Sequence, residues 1–418
     1  MMGTQTIEPQ LHAAREASFT LVSQGNETRK ALLFSLEGLL KAHASQIAEE
    51  NQKDLARMAP DHPMRDRLTL DQARIEALAA SVGDVARLPD PSGQVLMEGT
   101  LENGLNIQKV SAPLGVVGVI YEARPNVTID VAALCLRSGN AAVLRGGSDA
   151  DFTNRILVSL IHKALEENKL PADLVQLLPT DRVFVKEMLT ADRYLDIIIP
   201  RGSAGLIQFV REHATVPTIE TGAGVCHTYV HSSADLDQAA AIAVNAKTSR
   251  PSVCNALDTL VVDAAIAETF LPKILPGMAA YEVEIRADEA AYSHIEKAGY
   301  AFLKKATEDD FGQEFLSYKC SVKVVQGYQE ALTHIRRYSS RHSEAIVAED
   351  EKISERFLQE IDAAAVYANA STRFTDGGVF GLGAEIGIST QKLHARGPFA
   401  LEKLVTEKWV LRGAGQIR

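Results

Sequence analysis

Between residues 8 and about 88 the apolar positions return every three or four residues. In the stretch TRKALLFSLEGLLKAHASQIAEENQKDLARM (28–58) this spacing holds over several turns and predicts a helix packed on a sheet. A turn at APDHP (59–63) leads to a second predicted helix, LDQARIEALAASVGDVARL (70–88). Around 97–112 the period changes. Two strand-like runs flank Asn103-Gly104, a hairpin signal, and such a hairpin could reach outward and pair with another chain.

From residue 114 apolar runs alternate with helix-period segments. LGVVGVIYEA, NAAVLRG, LVQLLP, LDIIIP and VPTIETG are predicted strands, and the helices NVTIDVAALCLRSG, DADFTNRILVSLIHKALEENKL and SAGLIQFVREHA fall among them. The alternation restarts with CHTYVH, the helix ADLDQAAAIAVNAKTS and DTLVVD. It continues through SVKVVQ, YQEALTHIRRYS, SEAIVAED and AAAVYANA. Strand–helix alternation with short links predicts α/β units built on parallel, doubly wound sheets. Such sheets bind ligands at the carboxyl ends of their strands.

The chain has 418 residues, 46% hydrophobic and 23% charged, which is an ordinary globular mix. Its net charge of −11 argues against nucleic acid or an anionic membrane as the main partner. The first residues lack the basic and apolar regions of a signal peptide, and no apolar run reaches membrane-spanning length. Cys135, Cys226, Cys254 and Cys320 are widely spaced, and no Cys/His cluster has zinc spacing. A reduced cytoplasmic enzyme without a metal is the simplest reading.

A lone cysteine is more often a buried structural residue than a nucleophile. Cys254, in RPSVCNALDTLVV (250–262), differs from the other three because it lies in a polar loop just before an apolar run. Lys247 and Arg250 precede it, and positive charge favours a thiolate. Ser252 and Asn255 offer donors to a developing oxyanion. In VIYEARPNVTID, Asn126 reads either as a helix N-cap or as an amide donor to an oxyanion, and Arg124 beside it could hold a carboxylate or phosphate. AAVLRGGSDA delivers Arg145 and Ser148 at a strand end, which suits a nucleotide's ribose 2′-phosphate better than a free hydroxyl. PRGSAGLI repeats the design with Gly202 and Ser203 ahead of a helix, an arrangement that attracts phosphate oxygens. For each of the two, the plainer alternative is a glycine-rich turn with a capped helix. Glu220 in TIETGAG could serve as a base, a ribose ligand or a loop support.

These stretches, in this order, resemble the aldehyde dehydrogenase superfamily. GVVGVIYEARPN looks like its strand to an oxyanion asparagine, VLRGGS like its adenosine-ribose loop and PRGSAGLI like its diphosphate turn. IETGAG and PSVCNA look like its glutamate and nucleophile segments, with Cys254 falling 34 residues after Glu220, the family spacing. Glu314 in QEFLSY stands where a family glutamate touches the nicotinamide ribose. EALTHIRRYSSRHSEAIV (330–347) and FTDGGVFGLGAEIGISTQKLHARGPFALEKL further resemble one subfamily, the γ-glutamyl phosphate reductases.

The resemblance implies a cofactor-binding domain at 1–222 interrupted by a bridging hairpin at 97–112, a catalytic domain at 223–392 and a C-terminal bridging segment at 393–418. It implies a homo-oligomer, a dimer or dimer of dimers, in which the hairpin and the last strand form the contact. The implied reaction is reduction of L-glutamyl 5-phosphate by NADPH in proline biosynthesis, through a thioester on Cys254. Asn126 and the Cys254 backbone N–H would bind the oxyanion. The implied cofactor contacts are Arg145, Ser148, Gly202, Ser203, Glu220 and Glu314, and candidates for the substrate are Arg124, Ser249, Arg250 and Arg396. Association with the upstream glutamate kinase fits the same logic. One departure stands out: an ungapped alignment puts Arg124, not Asn126, at the asparagine position. Since phosphate and not water is the acyl partner, Glu220 is expected to be structural or to hold the cofactor. The rival readings are an ordinary aldehyde dehydrogenase forming a free acid and a non-catalytic nucleotide-binding oligomer on the same fold.

Overall fold

The computed structural model describes residues 6–60, 62 and 65–418. The chain divides into two compact units. The first runs to Thr221 and includes Gly381–Gly387 and Leu393–Arg418; the second holds Gly222–Phe380 and Ile388–Lys392.

In the first unit, helices Glu8–Val22, Asn26–Ala42, Ala44–Leu55 and Gln72–Arg87 account for most of the helical region read from the sequence. The turn expected at 59–63 falls partly outside the described residues. Next comes a hairpin of β1 (Val95–Thr100) and β2 (Asn106–Pro113), whose turn places Gly104 at φ +82°, a conformation that favours glycine. The C-terminal strand Val405–Arg412 pairs antiparallel with the other edge of β2, so the two outlying strands meet within one chain. Val95, Leu96, Met97, Trp409 and Leu411 of this three-stranded sheet stay about half exposed.

The main sheet of this unit comprises β3 (Val116–Tyr121), β4 (Ala141–Arg145), β5 (Val175–Leu177) and β6 (Ile197–Arg201). The strands are parallel, in the order β5-β4-β3-β6. β3 and β4 are buried along their whole length, which is why they read as unbroken apolar runs. The crossover helix Pro125–Ser138 ends at Gly139, at φ +87°, where the Asn140 N–H bonds back to the Cys135 carbonyl. The strand expected in VPTIETG does not form. Residues 217–219 make only a single parallel bridge beside β6, where Pro217 has no N–H to give.

The second unit is built on seven parallel strands: β7 (Cys226–Val230), β8 (Leu257–Asp263), β9 (Glu284–Ala287), β10 (Leu303–Lys305), β11 (Lys319–Val325), β12 (Ser343–Val347) and β13 (Ala365–Ala368). Their order is β10-β9-β11-β8-β7-β12-β13. β9, β10 and the helix Glu289–Lys297 between them escaped the sequence reading. The two strands are four residues or shorter, β9 alternating in burial and β10 mostly exposed, so no apolar run marks them. Among the described residues no helix is long and apolar enough to cross a membrane.

Candidate active site

Cys254 lies in the loop between helix Leu236–Thr248 and β8, at the amino edge of the second sheet. That is the opposite end from the one the parallel-sheet rule singles out. At the carboxyl ends of β7 and β8, Asp263 accepts from the Tyr229 hydroxyl and from the Ser232 N–H, each at 2.7 Å. None of the four cysteines is in a disulfide, and Cys254 alone is not fully buried. Burial pushes the thiols of Cys135, Cys226 and Cys320 upward, Cys320 to about 11, so those three are held as neutral thiols.

The backbone of the Cys254 loop is gripped from several sides. The Cys226 thiol donates to the Cys254 carbonyl oxygen at 3.2 Å. Gly224 packs against the same carbonyl so closely that any side chain there would collide with it. The Gly224 N–H in turn donates to Glu314 Oε1 at 3.0 Å, which brings Glu314 to the same edge of the sheet. Asn255 is fully engaged: its amide nitrogen donates to the carbonyls of Arg373 and Thr375, its amide oxygen accepts from Arg373, and its backbone carbonyl accepts from the Thr372 hydroxyl at 2.7 Å. The expectation that the Asn255 side chain serves an oxyanion is therefore corrected. It fastens the loop to segment 371–375.

Lys247 is corrected as well. Its ammonium is buried, donates to the Leu257 carbonyl at 2.7 Å and lies 3.8 Å from Asp258 Oδ1. Burial raises the Asp258 carboxyl to about 7 against the pull of Lys247. The pair ties β8 to the loop that carries Glu314, because Asp258 Oδ1 also accepts from the Phe315 N–H at 3.0 Å. The cation that the sequence reading missed is Arg373. Its Nε donates to the Ser249 hydroxyl at 3.1 Å and one Nη reaches Asn255 Oδ1, so its guanidinium spans the two ends of the Cys254 loop. Ser249, a substrate candidate, has its hydroxyl turned to Asn245 and Arg373. Arg250 stands exposed near Arg373, whose pKa is lowered by burial and then by the Arg250 charge. Nothing local in the sequence flags Arg373, which lies 119 residues beyond Cys254.

The nucleotide candidates gather in the first unit. Arg145 and Arg201 end the two strands that flank β3, and Glu122 follows β3. The Gly202-Ser203 turn opens helix Ala204–His213 and already grips an anion: Glu122 Oε2 accepts the Ser203 N–H at 2.8 Å. A β-carbon on Gly202 would meet that carboxylate at 2.5 Å. Arg145 is almost fully buried, gives one Nη to the Thr180 carbonyl and keeps an unsatisfied Nε. Burial and the nearby Arg182 lower its pKa. Ser148 opens a short 3-10 turn, with Arg57 donating to its carbonyl at 3.3 Å. Glu220 accepts both prongs of the Arg211 guanidinium from the same helix. That pairing is what a supporting residue makes, not what a poised base needs.

Asn126 does not cap the helix. Pro125–Ser138 begins one residue earlier, with Arg124 at the N-cap, because proline fits the first helical turn. The Asn126 amide instead donates to Asp130 Oδ2 at 3.0 Å. Just ahead, Ala123 is held at φ +36°, a strained setting for a residue with a side chain. Arg396 is half-buried, with Nε and one Nη unsatisfied. His227 and His231 stand four residues apart, but His227 is on a strand, where such a step covers about 13 Å. Among the described residues no group of three or more potential ligands could hold a metal ion.

The sequence profile of the aldehyde dehydrogenase family matches residues 2–310. The gamma-glutamyl phosphate reductase of Pelodictyon phaeoclathratiforme is 52% identical over 417 residues, covering 99% of both chains. The chain belongs to the aldehyde dehydrogenase family, among its gamma-glutamyl phosphate reductases. The crystal structure of gamma-glutamyl phosphate reductase from Thermotoga maritima superimposes with a TM-score of 0.92 at 42% identity, covering 99% of this chain and 100% of that one. An acetylating aldehyde dehydrogenase from Geobacillus thermoglucosidasius, at 17% identity and a TM-score of 0.72, shares the fold. Members of the family use a nicotinamide cofactor. The first unit fits an anionic nucleotide: a helix-opening turn that already holds a carboxylate, and strand-end arginines with buried, unsatisfied nitrogens at Arg145 and Arg201.

Proposed function

We propose that this chain reduces L-glutamyl 5-phosphate to L-glutamate 5-semialdehyde and phosphate in proline biosynthesis, with NADPH and through a thioester on Cys254. The observation that carries the reading is Cys254 itself. It is the one incompletely buried thiol of the four, on a loop whose backbone is pinned by Cys226, Gly224 and Asn255.

Cys254 attacks the acyl carbon of the substrate, the carbon–sulfur bond forms, and the carbon–oxygen bond to phosphate breaks. The pinned loop holds the sulfur in one place for this step and for thioester collapse. The Cys254 backbone N–H is the oxyanion donor. Gly202, Ser203, Arg145 and Ser148 hold NADPH, and Arg145 meets its 2′-phosphate. When bound, the nicotinamide supplies the hydride. Glu314 holds the nicotinamide ribose. Glu220, committed to Arg211, supports the nucleotide turn and leaves the thioester unhydrolysed.

The chain works in the cytoplasm as a homodimer or dimer of dimers; the half-exposed apolar residues of the three-stranded sheet support that sheet as the contact, and Trp409→Glu should yield monomers by size-exclusion chromatography. Association with the upstream glutamate kinase protects the unstable acyl phosphate. The deciding assay mixes glutamate semialdehyde, phosphate and NADP⁺. Wild type forms NADPH only when phosphate is present, and Cys254→Ala loses the activity. NADPH formation that ignores phosphate would point to a free-acid aldehyde dehydrogenase. Substantial activity in Cys254→Ala would remove the thioester.

A further inference from the structure

We infer that Arg373, with Arg250 beside it, is the site that receives the phosphate group of the substrate as it departs from the acyl carbon. The inference rests on the acyl-phosphate reading above and assigns the leaving-group half of it.

Arg373 lies in the segment that follows β13, and its hydrogen bonds fix where its charge sits. Nε is held by the Ser249 hydroxyl and one Nη by Asn255 Oδ1, at either end of the seven-residue span that contains Cys254. Asn255 is itself locked to the Arg373 and Thr375 carbonyls, so the guanidinium and the nucleophile loop move as one body. These bonds use two of the three nitrogens. Arg250 is part of that loop, next to Ser249, and is exposed.

The charged groups around Arg373 support this placement. Arg250 opposes its charge, while Asp376 and Cys254 favour it. Asp376 is occupied as an acceptor from the N–H groups of Gly378 and Val379, so it caps its own turn. The Arg250 charge acts on the Arg373 guanidinium, so the two cations lie on the same side of the nucleophile loop. A phosphate dianion satisfies both, and guanidinium geometry suits it. Lys247, the other cation of this region, is turned inward to Asp258 and Leu257 and cannot take that part.

The chemistry asks for such a site. As the Cys254 thiolate forms the carbon–sulfur bond, the bonding pair of the carbon–oxygen bond leaves with the phosphate. The departing group gains negative charge and takes up a proton from solvent to become hydrogen phosphate. Cations placed at that oxygen stabilise the charge as it develops. In the reverse direction the same pair delivers phosphate to the thioester.

The test is the reverse reaction, with KM measured separately for inorganic phosphate and for the semialdehyde, in wild type, Arg373→Lys, Arg373→Gln and Arg250→Gln. The expected result is a phosphate KM raised roughly ten- to a hundredfold in the glutamine variants, with the semialdehyde KM little changed. A second reading needs no turnover: inorganic phosphate should protect Cys254 from iodoacetamide in wild type and not in Arg250→Gln, which removes no fastening of Asn255. An unchanged phosphate KM in folded Arg373→Lys and Arg250→Gln overturns the inference. So does a rise confined to the semialdehyde KM, which would give the pair to the substrate carboxylate. Failure of the underlying reading looks different, since wild type itself would then show no dependence on phosphate.

Discussion

A β-carbon added to Gly224 would stand 1.7 Å from the carbonyl oxygen of Cys254 and 2.9 Å from its Cα. Both atoms belong to backbone, so neither can swing away. Gly224→Ala must displace the nucleophile loop, and a shift of about 1 Å at a reacting group costs on the order of a hundredfold in rate. The expected outcome is a folded protein by circular dichroism whose kcat falls by that order. Wild-type turnover in Gly224→Ala would show that the loop yields freely.

The Cys226 thiol supports the same carbonyl from the other side at 3.2 Å. A neutral hydrogen bond of this kind contributes about 1 kcal/mol, or roughly fivefold in rate if it acts only through the loop's position. Cys226→Ala should lower kcat by about that factor and leave the cofactor KM unchanged. Cys226→Ser, which restores a donor, should recover part of the loss. Equal kinetics in all three proteins would leave the thiol as mere filling.

Removing Lys247 strands Asp258 in the interior. Lys247→Met should cost about 3–5 kcal/mol of stability, read as a lower urea midpoint. The double variant Lys247→Met with Asp258→Leu should regain much of that stability, since no buried charge is left uncompensated. A single variant as stable as wild type would mean that Asp258 simply takes up a proton at little cost.

Glu122 occupies the turn where the nucleotide phosphates belong in the proposed reading. Glu122→Gln removes the competing charge. Its expected effect is tighter NADP⁺ binding, by roughly three- to tenfold, measured by titration calorimetry, with less than about 1 kcal/mol lost in the cofactor-free protein. Weaker binding in Glu122→Gln would make the carboxylate a cofactor ligand instead of a stand-in.

His334 is buried among Phe311, Tyr338 and His227, with Lys323 and Arg337 adding positive charge, and burial lowers its pKa from 6.5 to about 3. Between those values the unfolded chain binds a proton that the native state refuses. Stability is therefore full above pH 6.5 and falls as the pH drops toward 3, by up to about 1.4 kcal/mol per pH unit from this group. His334→Phe keeps the ring and removes the titration, so its urea midpoint should decline less steeply over that range. Parallel acid profiles for the two proteins would assign the acid sensitivity elsewhere.

The parallel strands were legible because both faces of each are covered, which writes β3 and β4 as apolar runs and gives β8 its Leu260-Val261-Val262 centre. Gly104 and Gly139 were legible because only glycine takes their backbone angles without strain. Cys254 could be singled out because a thiol at a polar loop's border with a core strand is unlike a thiol inside an apolar helix. VPTIETG misled because its apolar pattern is a strand's while Pro217 forbids the ladder. Tertiary structure decided the partners. Lys247 and Arg250 both precede Cys254, yet the fold turns Lys247 to Asp258 and brings Arg373 from 119 residues away to span the loop. Side-chain direction and long-range pairing depend on which strands become neighbours, and no local pattern encodes that. Local sequence determines which residues are chemically able, and packing determines which of them meet.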